Sequence, residues 1–212
     1  EGDRITGVGR ELIAPPGAEV IDAPEAIVIP GLVNAHQHTW QTALRGVAGD
    51  WTILEYFRHV HAGLATRFRP EDIYIANLVG ALNQINCGTT TLTDWCHNTP
   101  TPAHTDGGID GLVESGIRTA FFHGSPKPDP KPGQKPFWET PHPRGEVERL
   151  MQRLPTRDGL VSLGLAILGP HYSTYEVAAH DMRLAREFGL IASMHCAGAE
   201  ARTPGGWARL AK

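Results

Sequence analysis

A chain of 212 residues with 41% hydrophobic residues can bury a real core, and its length suits one large domain. Its 19 Lys and Arg against 23 Asp and Glu leave a net charge of -4, with no basic stretch dense enough to track a phosphate backbone, so nucleic acid is excluded as a partner. No apolar run approaches the ~20 residues of a membrane span, the N-terminus lacks a signal-peptide core, and Cys87, Cys96 and Cys196 include no CxxC pair, so a soluble cytoplasmic protein with no membrane partner is expected.

Residues 1–29 hold short strand-like pieces, "RITGVG" and "AEVIDAPEAIVIPG", separated by "APPG", and read as part of a small β-domain. An apolar run, "IPGLVNAHQHTW" (29–40), then reads as a buried strand that ends in two histidines. The stretch 70–88 predicts a helix, with Pro70 at its first position, Glu71 and Asp72 in the first turn and Gly88 as its stop. "TTTLTDW" (89–95) predicts a strand of β-branched residues. The cycle repeats with a helix near 107–115, a strand 118–124, a proline-rich loop 124–145, a helix near 145–154, a strand 160–168, a helix 174–189 and a strand 190–195. Alternating strands and helices, with near-continuous apolar strands, predict βα units around a parallel sheet covered on both faces. Five such strands do not close a barrel, so the expected chain is about twice this length.

Residues i and i+2 of a strand share a face, so His36 and His38 point together and offer half of a divalent-metal site. His195 closes the fifth strand, and active sites of parallel βα barrels lie at the C-terminal strand ends, so the three histidines are expected on one rim. His171, in "ILGPHYS", and His123, in "FFHG", also stand at strand ends. His59 and His61 repeat the HxH spacing in a stretch that reads as helix, where i and i+2 diverge. Asp94 reads as a ligand contact or a helix cap, and His97 beside Cys96 shows no further partners. Trp40, Trp51, Trp95, Tyr56 and Phe57 belong to the core or to an apolar pocket, and Gln41 and Trp95 are candidates for the substrate side.

The segments "VIPGLVNAHQHTWQTALRG", "CGTTTLTD", "GIRTAFFHG", "LGPHYST" and "GLIASMH" together resemble the amidohydrolase superfamily, in its branch of cytosine deaminases, guanine deaminases and s-triazine chlorohydrolases. The resemblance implies a distorted (β/α)8 TIM-type barrel beside a β-sandwich built from both chain termini. Residues 1–29 would then be a remnant of the sandwich, and 30–212 the first five βα units. It also implies one divalent metal ion, zinc or alternatively iron, on His36, His38 and His195, with His171 facing a small-molecule substrate and a homodimer as the assembly. The sixth-strand histidine and eighth-strand aspartate of that family have no counterpart here. Deaminases of the branch often carry a glutamate three residues after the fifth-strand histidine; here that position is Gly198, and Glu200 is the nearest carboxylate able to act as acid and base. The implied activity is metal-assisted hydrolysis of a C–N or C–Cl bond of a nitrogen heterocycle or amide. A non-catalytic metal- or ligand-binding barrel is the alternative that Gly198 leaves open.

Overall fold

The computed structural model describes residues 4–155, 159–196 and 202–210. The chain divides into two units, Glu1–Pro30 and Gly31–Lys212. In the first, residues 4–30 are mostly irregular, with two turns closed by Ala18 N–H to Pro15 O and Ala26 N–H to Ala23 O. The strand-like pieces expected there form no strand among the described residues. The reason is lateral: β-branched residues favour strands by packing against neighbours, and Ile5, Val8, Ile13, Ile27 and Val28 are each at least 82% exposed.

The second unit begins with β1 (Leu32–Gln37), followed by a 3₁₀ turn at Thr39–Leu44. The short α1 (Ile53–Tyr56) is started by a capping box between Thr52 and Glu55 and passes straight into a π-helical turn, Phe57–His61. A second 3₁₀ turn (Leu64–Arg67) leads to α2 (Pro70–Asn86), whose first turn carries Pro70, Glu71 and Asp72 as expected. β2 (Thr89–Cys96), α3 (Pro102–Ser115), β3 (Arg118–Gly124), a 3₁₀ turn in the proline-rich loop (Phe137–Glu139), α4 (Arg144–Arg153) and β4 (Val161–Ala166) follow. The described chain ends with α5 (Gly169–Tyr172), α6 (Tyr175–Glu187), β5 (Ala192–Ser193) and α7 (Gly206–Leu210). None of the described helices is long and apolar enough to cross a membrane.

The sheet order is β1-β2-β3-β4-β5, every pair parallel. Strands in a flat sheet lie ~4.8 Å apart, which would hold β1 and β5 ~19 Å from each other. Instead an imidazole nitrogen of His36, on β1, lies 3.1 Å from one of His195, just after β5. The sheet is therefore strongly curled, the first five strands of a TIM-type barrel. Leu92 and Phe121 face outward into a core shared with Ile73 and Ala81 of α2 and Ile109 and Leu112 of α3. Trp95, Phe122 and Ala166 form a second cluster of their own. Register explains its density: Phe122 lies beside both Trp95 and Gly164, and a Cβ on Gly164 would stand 2.7 Å from the Phe122 ring.

Two elements differ from expectation. Helix α3 begins at Pro102, one and a half turns before 107, because Gly107 and Gly111 are contact points and not breaks. A Cβ there would stand 2.6 Å from Pro70 O and 2.4 Å from Tyr74 O, so only glycine lets α3 approach α2 this closely. Strand β5 is two residues long where six were expected, since β4 is its one neighbour among the described residues.

Candidate functional site

Strand β1 aims its histidines with an irregularity. Three steps along it, from Asn34 to Gln37, match two on β2, from Leu92 to Asp94. Asn34 Oδ1 accepts the His36 N–H at 3.1 Å and steadies the bulge. His36, His38 and His195 then converge, with one nitrogen from each lying within 4.8 Å of the others. Tetrahedral zinc with Zn–N near 2.0–2.1 Å separates its ligand nitrogens by about 3.3 Å, close to the 3.1 Å between His36 Nε2 and His195 Nε2.

The protonation states suit a cation as well as the spacing does. His38 Nδ1 lies 2.7 Å from the Trp95 carbonyl, which can only accept, so the proton sits on Nδ1 and Nε2 keeps its lone pair. Burial is the largest cause holding His38 down to about 4, against the upward pull of that carbonyl, with His36 and Lys127 lowering it further. Burial first, then the charges of His38, Lys127 and His36, hold His195 down to about 3. Both rings are neutral at pH 7, and the donor set fits a divalent metal.

The cluster opens onto a cavity of about 290 Å³. Tyr56, Phe57, Trp95 and Tyr172 give it flat apolar walls, and His61, His97 and Lys127 supply nitrogen atoms. No carboxylate lines it among the described residues. Lys127 reaches in from the proline-rich loop, with Nζ 5.1 Å from the Trp95 ring centroid; burial pulls its ammonium down to about 7. His97 stacks on His38, their ring centroids 4.4 Å apart and their planes within 12°.

Of the candidates read from sequence, His36, His38, His195 and Trp95 meet in this cavity. Gln41 lines an adjoining depression with His36 and His38 and donates from Nε2 to the Tyr56 hydroxyl at 2.5 Å. His171 is not among the lining residues: it is buried within α5, and its neighbour Tyr172 takes the wall. His123 is also elsewhere. Its strand position has the parity of the outward Phe121, and its Nδ1 lies 2.8 Å from His142 Nε2, away from the cavity. Asp94 does not line the cavity and is the N-cap of none of the described helices; it accepts from the N–H of Thr39, the first residue of the 3₁₀ turn after β1, and from Asn77 Nδ2 inside the protein. Gly198 and Glu200 lie outside the described residues.

From sequence, His61 and His97 are weighed and set aside, and Lys127 is not singled out. His97 was within reach, because it stands two residues beyond Trp95 and so continues its phase past the strand end. His61 was not, since the π turn that buries it while leaving His59 exposed has no sequence signature. Lys127 comes from a segment without periodicity.

Comparison with known proteins bears on the family and the fold. The amidohydrolase family model matches residues 27–204. A 5-methylthioadenosine/S-adenosylhomocysteine deaminase from Carboxydothermus hydrogenoformans is 30% identical over 142 residues, which is 66% of this chain and 31% of that protein. Among solved structures, an atrazine chlorohydrolase from Arthrobacter aurescens TC1 complexed with zinc superposes with a TM-score of 0.61 at 21% identity, over 79% of this chain and 41% of that one. An adenosine deaminase from Xanthomonas campestris with bound zinc gives 0.60 at 19% identity, over 86% and 41%. The chain thus spans less than half the length of each of these relatives.

Proposed function

The chain belongs to the amidohydrolase family, and from that premise we propose that the whole protein hydrolyses a C–N or C–Cl bond on a nitrogen heterocycle, with one divalent cation, zinc or iron, held by His36, His38 and His195. The carrying observation is the convergence of these three imidazoles, from opposite edges of the curled sheet, onto one aromatic-walled cavity. When bound, such a cation supplies Lewis acidity, bringing the pKa of water from about 15.7 towards 7. This chain's own residues do the rest. The Trp95 carbonyl fixes the His38 tautomer, and Trp95, Tyr56 and Phe57 offer faces on which a planar ring can stack.

Relatives are named as deaminases and as a chlorohydrolase, which differ in the group that departs. Gly198 bears on that choice. A ring deaminase needs a proton donor for the leaving amine, worth about 10² to 10⁴ in rate, and a better leaving group needs less help. The proposed substrate is therefore a heterocycle with an activated substituent, such as a chloro- or alkoxy-triazine, with Glu200 as the candidate acid and base.

The test is the metal content of the purified whole protein and its turnover of a panel of nucleobases and substituted triazines. Wild type should hold one metal ion per chain and prefer the activated triazines, while His36→Ala and His38→Ala lose metal and activity together. Full metal retention in both variants rejects the ligand set. Rapid cytosine, guanine or adenine deamination that survives in Glu200→Gln rejects the leaving-group reading.

A further inference from the structure

His97 has a fixed tautomer, and its partner shows which. The Trp40 indole Nε1–H lies 2.9 Å from His97 Nδ1, and an indole N–H can only donate. Nδ1 must then be the lone-pair atom, and the single proton of the neutral ring sits on Nε2. Trp40 does not line the cavity, whereas His97 does. Nε2 has no hydrogen-bond partner among the described residues, and His97 is one of the residues that line the cavity. His38, stacked against the same ring, has the opposite arrangement, with its proton on Nδ1 and its lone pair on Nε2. Two parallel imidazoles thus present opposite faces of hydrogen-bond chemistry to one space: an acceptor suited to a cation, and a donor unsuited to one.

From this pairing we infer that His97 Nε2–H is a substrate-binding donor, which takes a ring nitrogen or exocyclic oxygen of an acceptor-rich aza-heterocycle lying on the Trp95 and Tyr56 walls. The rest of the lining agrees with that ligand class. Lys127 adds a second donor over the Trp95 ring, and no described lining residue offers a carboxylate for a ligand rich in N–H groups. Trp40, wholly buried, is the positioning residue: it touches no ligand and acts by fixing which nitrogen of His97 carries the proton. This inference rests on the proposed heterocycle hydrolase, and its test separates the two.

The experiment uses the full-length protein, zinc-loaded and labelled with 15N-histidine. Long-range 15N–1H spectra report the tautomer of each ring, and calorimetric titration with 2,4-dimethyl-1,3,5-triazine, which offers ring-nitrogen acceptors and no N–H or leaving group, reports binding. Wild-type His97 should show the Nε2–H tautomer, and its Nε2–H proton should move downfield as the triazine binds. His97→Leu should weaken binding about tenfold, the effect of one hydrogen bond lost from an enclosed site, while His97→Gln, which keeps an N–H near the same place, stays within about threefold of wild type. Trp40→Phe should shift His97 towards the Nδ1–H tautomer and weaken binding with zinc content unchanged. An Nδ1–H tautomer in wild type, equal binding by His97→Leu, or failure of wild type to bind the triazine overturns the inference. Zinc content, read on the same samples, judges the metal-site proposal independently.

Discussion

Asp94 is a carboxylate shut away from water, with one oxygen on the Thr39 N–H and the other on Asn77 Nδ2, both near 3.0 Å. Two neutral donors do not offset the desolvation of a charge, and burial pushes Asp94 up to about 6 from an ordinary 3.8. Because the folded value is the higher one, the folded protein holds the extra proton, and the stabilisation is complete below 3.8 and lost as pH rises through 6. Asp94→Asn keeps an acceptor for Thr39 and removes the buried charge. Its melting temperature relative to wild type should therefore be higher at pH 8 than at pH 5; the reverse order in calorimetry would show that the charge is compensated in the native protein. Asp94→Ala strands both donors and should lose about 1–3 kcal/mol for each. This residue marks a limit of the sequence as well. "LTDW" announced a carboxylate at a strand end, but whether it faced a ligand or a helix depended on strand phase, and the β1 bulge that brings Thr39 to it is a tertiary feature.

Between elements, the tightest joint is α2 against α3, where Gly107 and Gly111 meet backbone oxygens of α2. Gly111→Ala should destabilise the protein by about 1–3 kcal/mol through overpacking. Gly145, inside α4, has nothing within 4 Å of its would-be Cβ, and Gly145→Ala should instead stabilise by about 0.5–1 kcal/mol from backbone entropy alone. Urea midpoints at constant slope distinguish the two, and equal shifts would refute the packing account. The same joint explains what was legible. Strand β3 lies at the expected residues and α4 within one residue of them, because apolar patterning and terminal signals agree there. The first turn of α3 was not legible, since glycines that count against a helix locally are favoured by a neighbour not visible in the local pattern. In the site, His36, His38 and His195 could be read because each ends an apolar run. The place of His97 could be read from its phase with Trp95, but its proposed donor role could not, because that depends on one indole N–H reaching across from another segment.

Across the five strands, the three proposed ligands join elements that are not paired in the sheet among the described residues: β1 and β5 stand at opposite ends of the strand order. A cation on His36, His38 and His195 would therefore act as a clasp that resists uncurling of the sheet, and its effect should be strongest where backbone pairing is thinnest. That place is β5, which holds β4 through the Leu165 N–H to Ile191 O and the Ile167 N–H to Ser193 O, each 2.9 Å. Binding to the native state alone stabilises it by about 2.7 kcal/mol at a free zinc concentration of 100 times the dissociation constant. Hydrogen exchange on the whole protein should accordingly show the Leu165 and Ile167 amides slowed by zinc. The β3 amides paired with β2 are already held between two neighbours and should change less. In His195→Ala, zinc should protect neither pair of amides, since the fifth-strand arm of the clasp is gone. Uniform slowing across β2, β3 and β4, surviving in that variant, would mean that zinc binds elsewhere and that the curl of the sheet owes nothing to the histidines on its rim.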